Sequence, residues 1–290
     1  MARGAIAKLI VMRAIDVHVH PSTRGLDAHA CSYFRRDLKD VPRTAEAFAS
    51  LYMRQEVKAL LIGWHPSTVP LGERNSNDHV IELVDGYPHA FAGILASLDT
   101  AAGDLDAVAR YAEELVKNPK VLGFKFHPPD QAFYPHDRRL YGIWEVLQAG
   151  GKPVMFHVGF TVLGAGTDGG SGIALDYGRP IHLDTLARDF PRMKILAAHP
   201  GWPWEQELIG VIAHKKNVYA DTSGYLAEQL PEVFRKAIAG RLQDKALFGT
   251  DFPYVDLERA LMSFEKIDAP DSVKEKILVK NARRLFGWEA

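Results

Sequence analysis

The chain has 290 residues, 47% of them apolar, with 35 basic against 36 acidic side chains and a formal net charge of −1. That length suits one large domain, and the charge balance offers no electrostatic reason to expect nucleic acid or an anionic membrane as partner. A single cysteine, Cys31, excludes an internal disulfide and fits a reducing, cytoplasmic setting.

In chain order, the opening MARGAIAKLIVMRAID has its apolar run broken by Lys8 and Arg13, so it is not expected to work as a signal peptide, and no later run is long enough to cross a bilayer. Short apolar, β-branched runs ending in a polar residue or histidine then recur eight times: 14–20, 58–65, 90–99, 121–128, 153–159, 194–201, 217–224 and 246–253. They read as buried parallel strands. Segments of helical period lie between them, at 44–57, 101–118, 137–150, 182–190, 226–240 and 271–288. The second carries Leu105, Val108, Ala109, Ala112 and Leu115 at helical spacing and stops at Asn118-Pro119. The last has Asp271 as its expected N-cap and Gly287 near its end. Strand alternating with helix predicts an α/β fold, a (β/α)8 TIM barrel forming a single domain over residues 1–290. A doubly wound open sheet is disfavoured because no glycine-rich phosphate fingerprint follows the first strand. Three irregular segments, 21–43, 64–79 and 160–181, each follow a strand and are placed over the C-terminal mouth. The glycine-rich third is either a mobile lid or an ordinary surface loop.

Six of the twelve histidines stand at strand ends: His18, His20, His65, His127, His157 and His199. In a barrel such residues converge on the axis. His18 and His20, two apart on one strand, face the same side and can share one ion. His157, ending the fifth strand, can add a third nitrogen, and Asp251, ending the eighth, a carboxylate oxygen. The alternative for Asp251 is a turn residue before Pro253. Imidazoles plus a carboxylate suit Zn²⁺ best, with Mn²⁺ or Fe²⁺ as alternatives. His199 is a general acid/base beside the metal, a ligand of a second metal, or a buried histidine that holds a loop. Lys125 shares a face with His127. If that face is inward, Lys125 carries a carbamate bridging two ions or binds a substrate carboxylate; otherwise Phe124 and Phe126 fill the interior. Arg24, Arg35, Arg36 and Arg74 in the loops are candidate carboxylate clamps, and Trp202 and Trp204 candidate pocket walls.

Together these blocks, AIDVHVH, GFKFHP, PVMFHVG, RPIHLDTLARDFPRMKILAAHPG, FGTDFP and EKILVKNARRLFG, resemble the amidohydrolase-2 group of the amidohydrolase superfamily, over about residues 14–287. The resemblance implies a metal on His18, His20, His157 and Asp251, a catalytic role for His199, and proton removal from the attacking water by Asp251. It makes Lys125 the candidate for a carbamylated lysine, though many members of the group work with one metal. The group includes hydrolases, non-oxidative decarboxylases and hydratases, so ligands alone do not select the reaction. The decarboxylase branch looks longer than this chain, which tilts the expectation toward a metal-dependent hydrolase of a small lactone, amide or ester, carboxylate-bearing or not. The alternatives are decarboxylation or hydration of an aromatic or unsaturated acid, and a non-catalytic metal- or ligand-binding barrel. The expected partner is a small-molecule substrate, with a homo-oligomer left open.

Overall fold

In the computed structural model, which describes residues 12–23, 28–64 and 75–288, every one of the eight apolar runs contains a strand. They are β1 (Ala14–Val19), β2 (Val57–Ile62), β3 (Phe91–Ala96), β4 (Val121–Phe126), β5 (Val154–His157), β6 (Ile195–Ala198), β7 (Val218–Asp221) and β8 (Ala246–Leu247). All neighbouring pairs are parallel and follow chain order. Closure from β8 to β1 is made by single bonds, Val17 N donating to Phe248 O (3.0 Å), Asp251 N to His18 O (2.9 Å) and His20 N to Phe252 O (2.7 Å). The last two bonds bring the loop after β8 against the end of β1, which is what places Asp251 beside the two histidines.

A helix follows each strand: α1 (Ala45–Arg54), α2 (Asn77–Gly86), α3 (Leu105–Lys117), α4 (Tyr141–Ala149), α5 (His182–Asp189), α6 (Glu205–His214), α7 (Glu232–Ala239) and α8 (Leu257–Glu265). Thr44, Ser76, Asp104 and Asp256 cap α1, α2, α3 and α8 by accepting from backbone amides of the first turn. The C-terminal segment is helical as expected and ends on Gly287 in the left-handed conformation. Its start differs from expectation: Pro270 holds the N-cap position and Asp271 is the first helical residue, because the proline's fixed φ sets the entry.

Strand alternation divides the core in two. Val57, Ala59, Leu61, Phe124, Phe126, Val154 and Phe156 pack outward against the helices, with Phe126 edge-on to Trp144 of α4 at 4.9 Å. Ile15, Val17, Leu60, Ile62, Leu95, Met155, Leu196 and Leu247 fill the barrel, whose bottom is plugged by Ala282 and Leu285. Lys125, between the two outward phenylalanines, therefore points inward, as do His157 and Asp221. β1 departs from strict alternation: a register irregularity lies between Asp16 and Val19. It lets Ile15 and Val17 join the interior cluster while Asp16 reaches Tyr52 of α1 and His18 faces the barrel. Among the described residues, no helix is long and apolar enough to cross a membrane.

Candidate metal centre

The C-terminal mouth holds a chamber of about 160 Å³, with His18, His20, Lys125, His127, His157, His199 and Asp251 in its lining. His18 Nε2 and His20 Nε2 lie 3.4 and 3.2 Å from Asp251 Oδ1. Donors about 2.1 Å from one ion sit roughly 3.0–3.5 Å apart, so this trio has the spacing of a metal site. The proton inventory agrees. His18 Nδ1 faces Asp221 Oδ2 at 3.1 Å and therefore carries the hydrogen. Its Nε2 then presents a lone pair 3.4 Å from an anionic oxygen, a repulsive pairing unless a cation lies nearby. Lys125 Nζ, 3.3 Å from the same nitrogen, is the protein's own cation there. A divalent ion on the trio would serve the same end.

Electrostatics hold these groups in ligand form. Burial, reinforced by Lys125, lowers the His18 pKa to about 3, so the ring is neutral. Burial also lowers Lys125, from the usual 10.5 to about 8. Burial alone would raise Asp251, but its close contacts with His18 and His20 hold it well below the usual carboxylate range. His127, His157 and His199 are all lowered by burial.

His157 sits in the same chamber but outside that trio. Its Nδ1 is 3.1 Å from His199 Nε2, its Nε2 is 3.1 Å from the Phe160 carbonyl, and its ring stacks on His127 at 3.9 Å. His199 completes a chain, its Nδ1 lying 2.8 Å from Ser223 Oγ and 3.1 Å from Ser223 O. His199 and Asp251 both have positive φ, 73° and 67°, strained backbone for a side-chain-bearing residue. Gly224, at φ 79°, lets the chain pass close by: a Cβ there would lie 3.1 Å from His199 Nδ1.

Sequence reasoning missed the support beneath the histidines. Asp221, fully buried at the end of β7, accepts from His18 Nδ1, His199 N (2.9 Å), Ser223 N (3.0 Å) and Ser223 Oγ. His18, His199 and Asp221 also cluster closely enough to suggest a metal site. The Ser223 hydroxyl bridges all three, at 2.9 Å from His18 Nδ1, so that place is already filled. Asp16 ties β1 to the β8 loop, accepting from His18 N (3.2 Å), Thr250 N (2.9 Å), Thr250 Oγ1 (2.6 Å) and Tyr52 OH (3.2 Å). Burial pushes its pKa up to about 7 against these donors. The signal for Asp221 was a charged residue on the inward parity of a buried strand.

The loop candidates fare unevenly. Arg36 does not line the chamber: its guanidinium is engaged by Asp256 at 3.0 Å and the Pro253 carbonyl at 3.2 Å, joining the loops after β1 and β8. Arg35 is exposed. Arg24, His65 and Arg74 lie outside the described residues. Trp202 lines the chamber, whereas Trp204 packs under the Arg179 guanidinium at 5.8 Å. The 160–181 segment supplies a wall through Phe160, Thr161, Val162 and Leu163 and is fastened by Gly159 N to Gly178 O (2.8 Å) and Phe160 N to Trp202 O (2.7 Å).

A family model described as Amidohydrolase matches residues 15–288. No curated protein matches the chain. Among solved structures, an uncharacterized TIM-barrel protein from Bordetella bronchiseptica is similar, with 25% identity, a TM-score of 0.78, and 94% of this chain and 98% of that one covered. A dihydroxybenzoic acid decarboxylase from Polaromonas sp. JS666, with bound manganese and the inhibitor 2-nitroresorcinol, is similar at 20% identity and TM-score 0.69, covering 94% and 96%. A probable 2-pyrone-4,6-dicarboxylic acid hydrolase from Acinetobacter baumannii with citric acid bound is similar at 14% identity and TM-score 0.61, covering 96% and 100%. The near-complete coverage of the decarboxylase removes the argument that such chains are longer than this one. The chain belongs to the amidohydrolase family, whose members are metal-dependent enzymes of hydrolase and decarboxylase type.

Proposed function

From that membership, we propose that this enzyme removes CO₂, without oxidation, from a small planar aromatic or unsaturated carboxylic acid. The observation that carries the reading is the chamber's lining. Its walls are Tyr33, Phe34, Trp64, Phe160, Trp202, Tyr225 and Tyr254, and its sole cation among the described residues is Lys125, on the floor beside the trio. A chamber of this size with aromatic walls suits one ring. One cation at its floor suits one carboxylate, whereas a polyanionic lactone calls for cations at several points.

His18, His20 and Asp251 would hold a divalent ion, with His157 the next donor on the same wall. Zn²⁺, Mn²⁺ and Fe²⁺ all accept such donors, and manganese in the Polaromonas enzyme supports Mn²⁺ as the first to test. When bound, the ion supplies Lewis acidity to a substrate oxygen. The chain's residues do the rest. Lys125 keeps its ammonium form between Asp221 and Asp251, whose charges favour it, and orients the carboxylate; a carbamate there would add a third anion. The aromatic walls exclude water, which disfavours the charged carboxylate relative to neutral CO₂. The carbon–carbon bond breaks, its electron pair stays on the ring carbon, and that carbon takes a proton drawn from solvent and relayed through His199, whose Nδ1 is fixed by Ser223.

A second reading, hydrolysis of an ester or lactone, is favoured by one observation: Asp251 stays ionised within the trio and is suited to take a proton from water. One experiment separates the two. Manganese-loaded enzyme in D₂O is incubated with a panel of hydroxybenzoates and of 2-pyrones. Release of CO₂ with one deuterium at the vacated carbon supports decarboxylation. Opening of a pyrone without CO₂ overturns it in favour of hydrolysis.

A further inference from the structure

The loop after β5 brings into the chamber wall a hydroxyl whose own hydrogen is left over. Thr161 forms part of the chamber's lining, and its Oγ1 lies 3.2 Å from Leu163 N and 3.4 Å from His127 Nε2. The Leu163 amide can only donate, so it takes one lone pair. The direction of the second contact is set on the far side of the His127 ring. There Nδ1 accepts from Asp130 N at 3.2 Å and so carries no hydrogen. Burial holds His127 well below its ordinary pKa, so the ring is neutral and its one hydrogen is on Nε2. His127 therefore donates to Thr161, and both lone pairs of the Thr161 oxygen are taken.

The ring that sends this hydrogen is firmly placed. His127 N donates to Gln131 Oε1 at 2.8 Å, and Gln131 Nε2 donates to Leu98 O at 2.8 Å. The imidazole stacks on His157 at 3.9 Å and meets Trp64 at 5.6 Å. The donations run one way, from Asp130 N through His127 to Thr161, and each strengthens the next. They end on the Thr161 hydroxyl hydrogen, which no group among the described residues accepts. A donor left unanswered in a chamber that excludes water is costly, so this one is prepared for an acceptor on the substrate. His127 follows Lys125 by two residues, about 6–7 Å along the strand toward the mouth. Thr161 therefore meets the ring on the side turned away from the floor.

We infer that Thr161 selects the substrate's second substituent, donating to an oxygen that only accepts, an ether or a carbonyl carried by the ring meta or para to the carboxylate. This rests on the reading that the carboxylate lies at Lys125. A ring amine offers hydrogens, finds no lone pair left on Thr161, and is disfavoured.

The test is binding to the manganese-loaded protein, followed by calorimetry. The probes are 3- and 4-methoxybenzoate, the ethyl- and aminobenzoates substituted at the same positions, and methoxybenzene and ethylbenzene, which lack the acid. At the better position the methoxy probe should bind at least about fivefold tighter than its near-isostere, the ethyl probe, and than the amino probe. Thr161→Val should bring methoxy and ethyl to parity and Thr161→Ser should restore the preference, with folding of both variants checked by circular dichroism. A threonine that only holds the loop would move all probes together. Histidine ¹⁵N shifts should show His127 protonated at Nε2 alone, and a hydrogen on Nδ1 overturns the inference whatever the probes do. Parity of methoxy and ethyl in the unmodified protein, or a preference that survives Thr161→Val, overturns it as well. A Thr161-dependent preference for methoxybenzene over ethylbenzene, with the acids binding no tighter than these neutral rings, would keep the donor and overturn the acid-end reading.

Discussion

Replacing Asp221 by asparagine changes no heavy-atom shape, yet it should weaken metal binding about ten- to a hundredfold, the range for losing a group that orients a ligand. The structure says why. Three donors converge on Oδ1 of Asp221: His199 N at 2.9 Å, Ser223 N at 3.0 Å, and the Ser223 hydroxyl. The amide oxygen must take that position. The new NH₂ then occupies the place of Oδ2, 3.1 Å from His18 Nδ1. Two donors cannot face each other, so His18 must move its proton to Nε2, the atom aimed at Asp251. That nitrogen can no longer ligate. A hundredfold loss corresponds to about 2.7 kcal/mol. Manganese titration by calorimetry measures the affinity, and histidine ¹⁵N shifts of the metal-free protein report the tautomer. A folded Asp221→Asn protein with wild-type affinity and an Nδ1-protonated His18 would refute the reasoning.

Other perturbations follow from the same geometry. His20→Ala and Asp251→Ala should each abolish stoichiometric metal, read by elemental analysis, whereas His199→Ala should retain it and lose turnover; metal loss in the His199 variant would make it a ligand instead. Lys125 is held neutral more readily folded than unfolded, its pKa pushed from 10.5 to about 8 by burial. Between those values the unfolded chain binds a proton that the native one does not, so stability should rise with pH across that window, by up to about 3 kcal/mol. Lys125→Met should flatten that rise in urea titrations of metal-free protein; an equal slope in both proteins contradicts it. Gly224→Ala forces a side chain onto φ 79° and 3.1 Å from His199 Nδ1, which should cost about 1–3 kcal/mol by thermal melts and reduce turnover as well.

The barrel was legible because buried parallel strands print near-continuous apolar runs, and most of these runs end in residues that line or support the chamber. That His18 and His20 share a side follows from their spacing, whereas their turn into the barrel needs the register irregularity of β1. The side on which Lys125 points does not: a Phe-Lys-Phe strand reads equally well either way, and only the packing of Phe126 on Trp144 settles it. Asp221 and Ser223 escaped notice because their importance lies in contacts with His18 and His199, which are distant in sequence and brought together by the fold. Arg36 looked like a carboxylate clamp for the same reason in reverse, since its partner Asp256 is remote in the chain.

The central claim is that one divalent ion sits on His18, His20 and Asp251. Crystals grown with manganese and measured near its absorption edge test it directly. The account predicts one strong anomalous peak within about 2.3 Å of His18 Nε2, His20 Nε2 and an Asp251 carboxylate oxygen. A peak at the Ser223 position among His18, His199 and Asp221, or no peak in the chamber at full manganese occupancy of the solution, would contradict it.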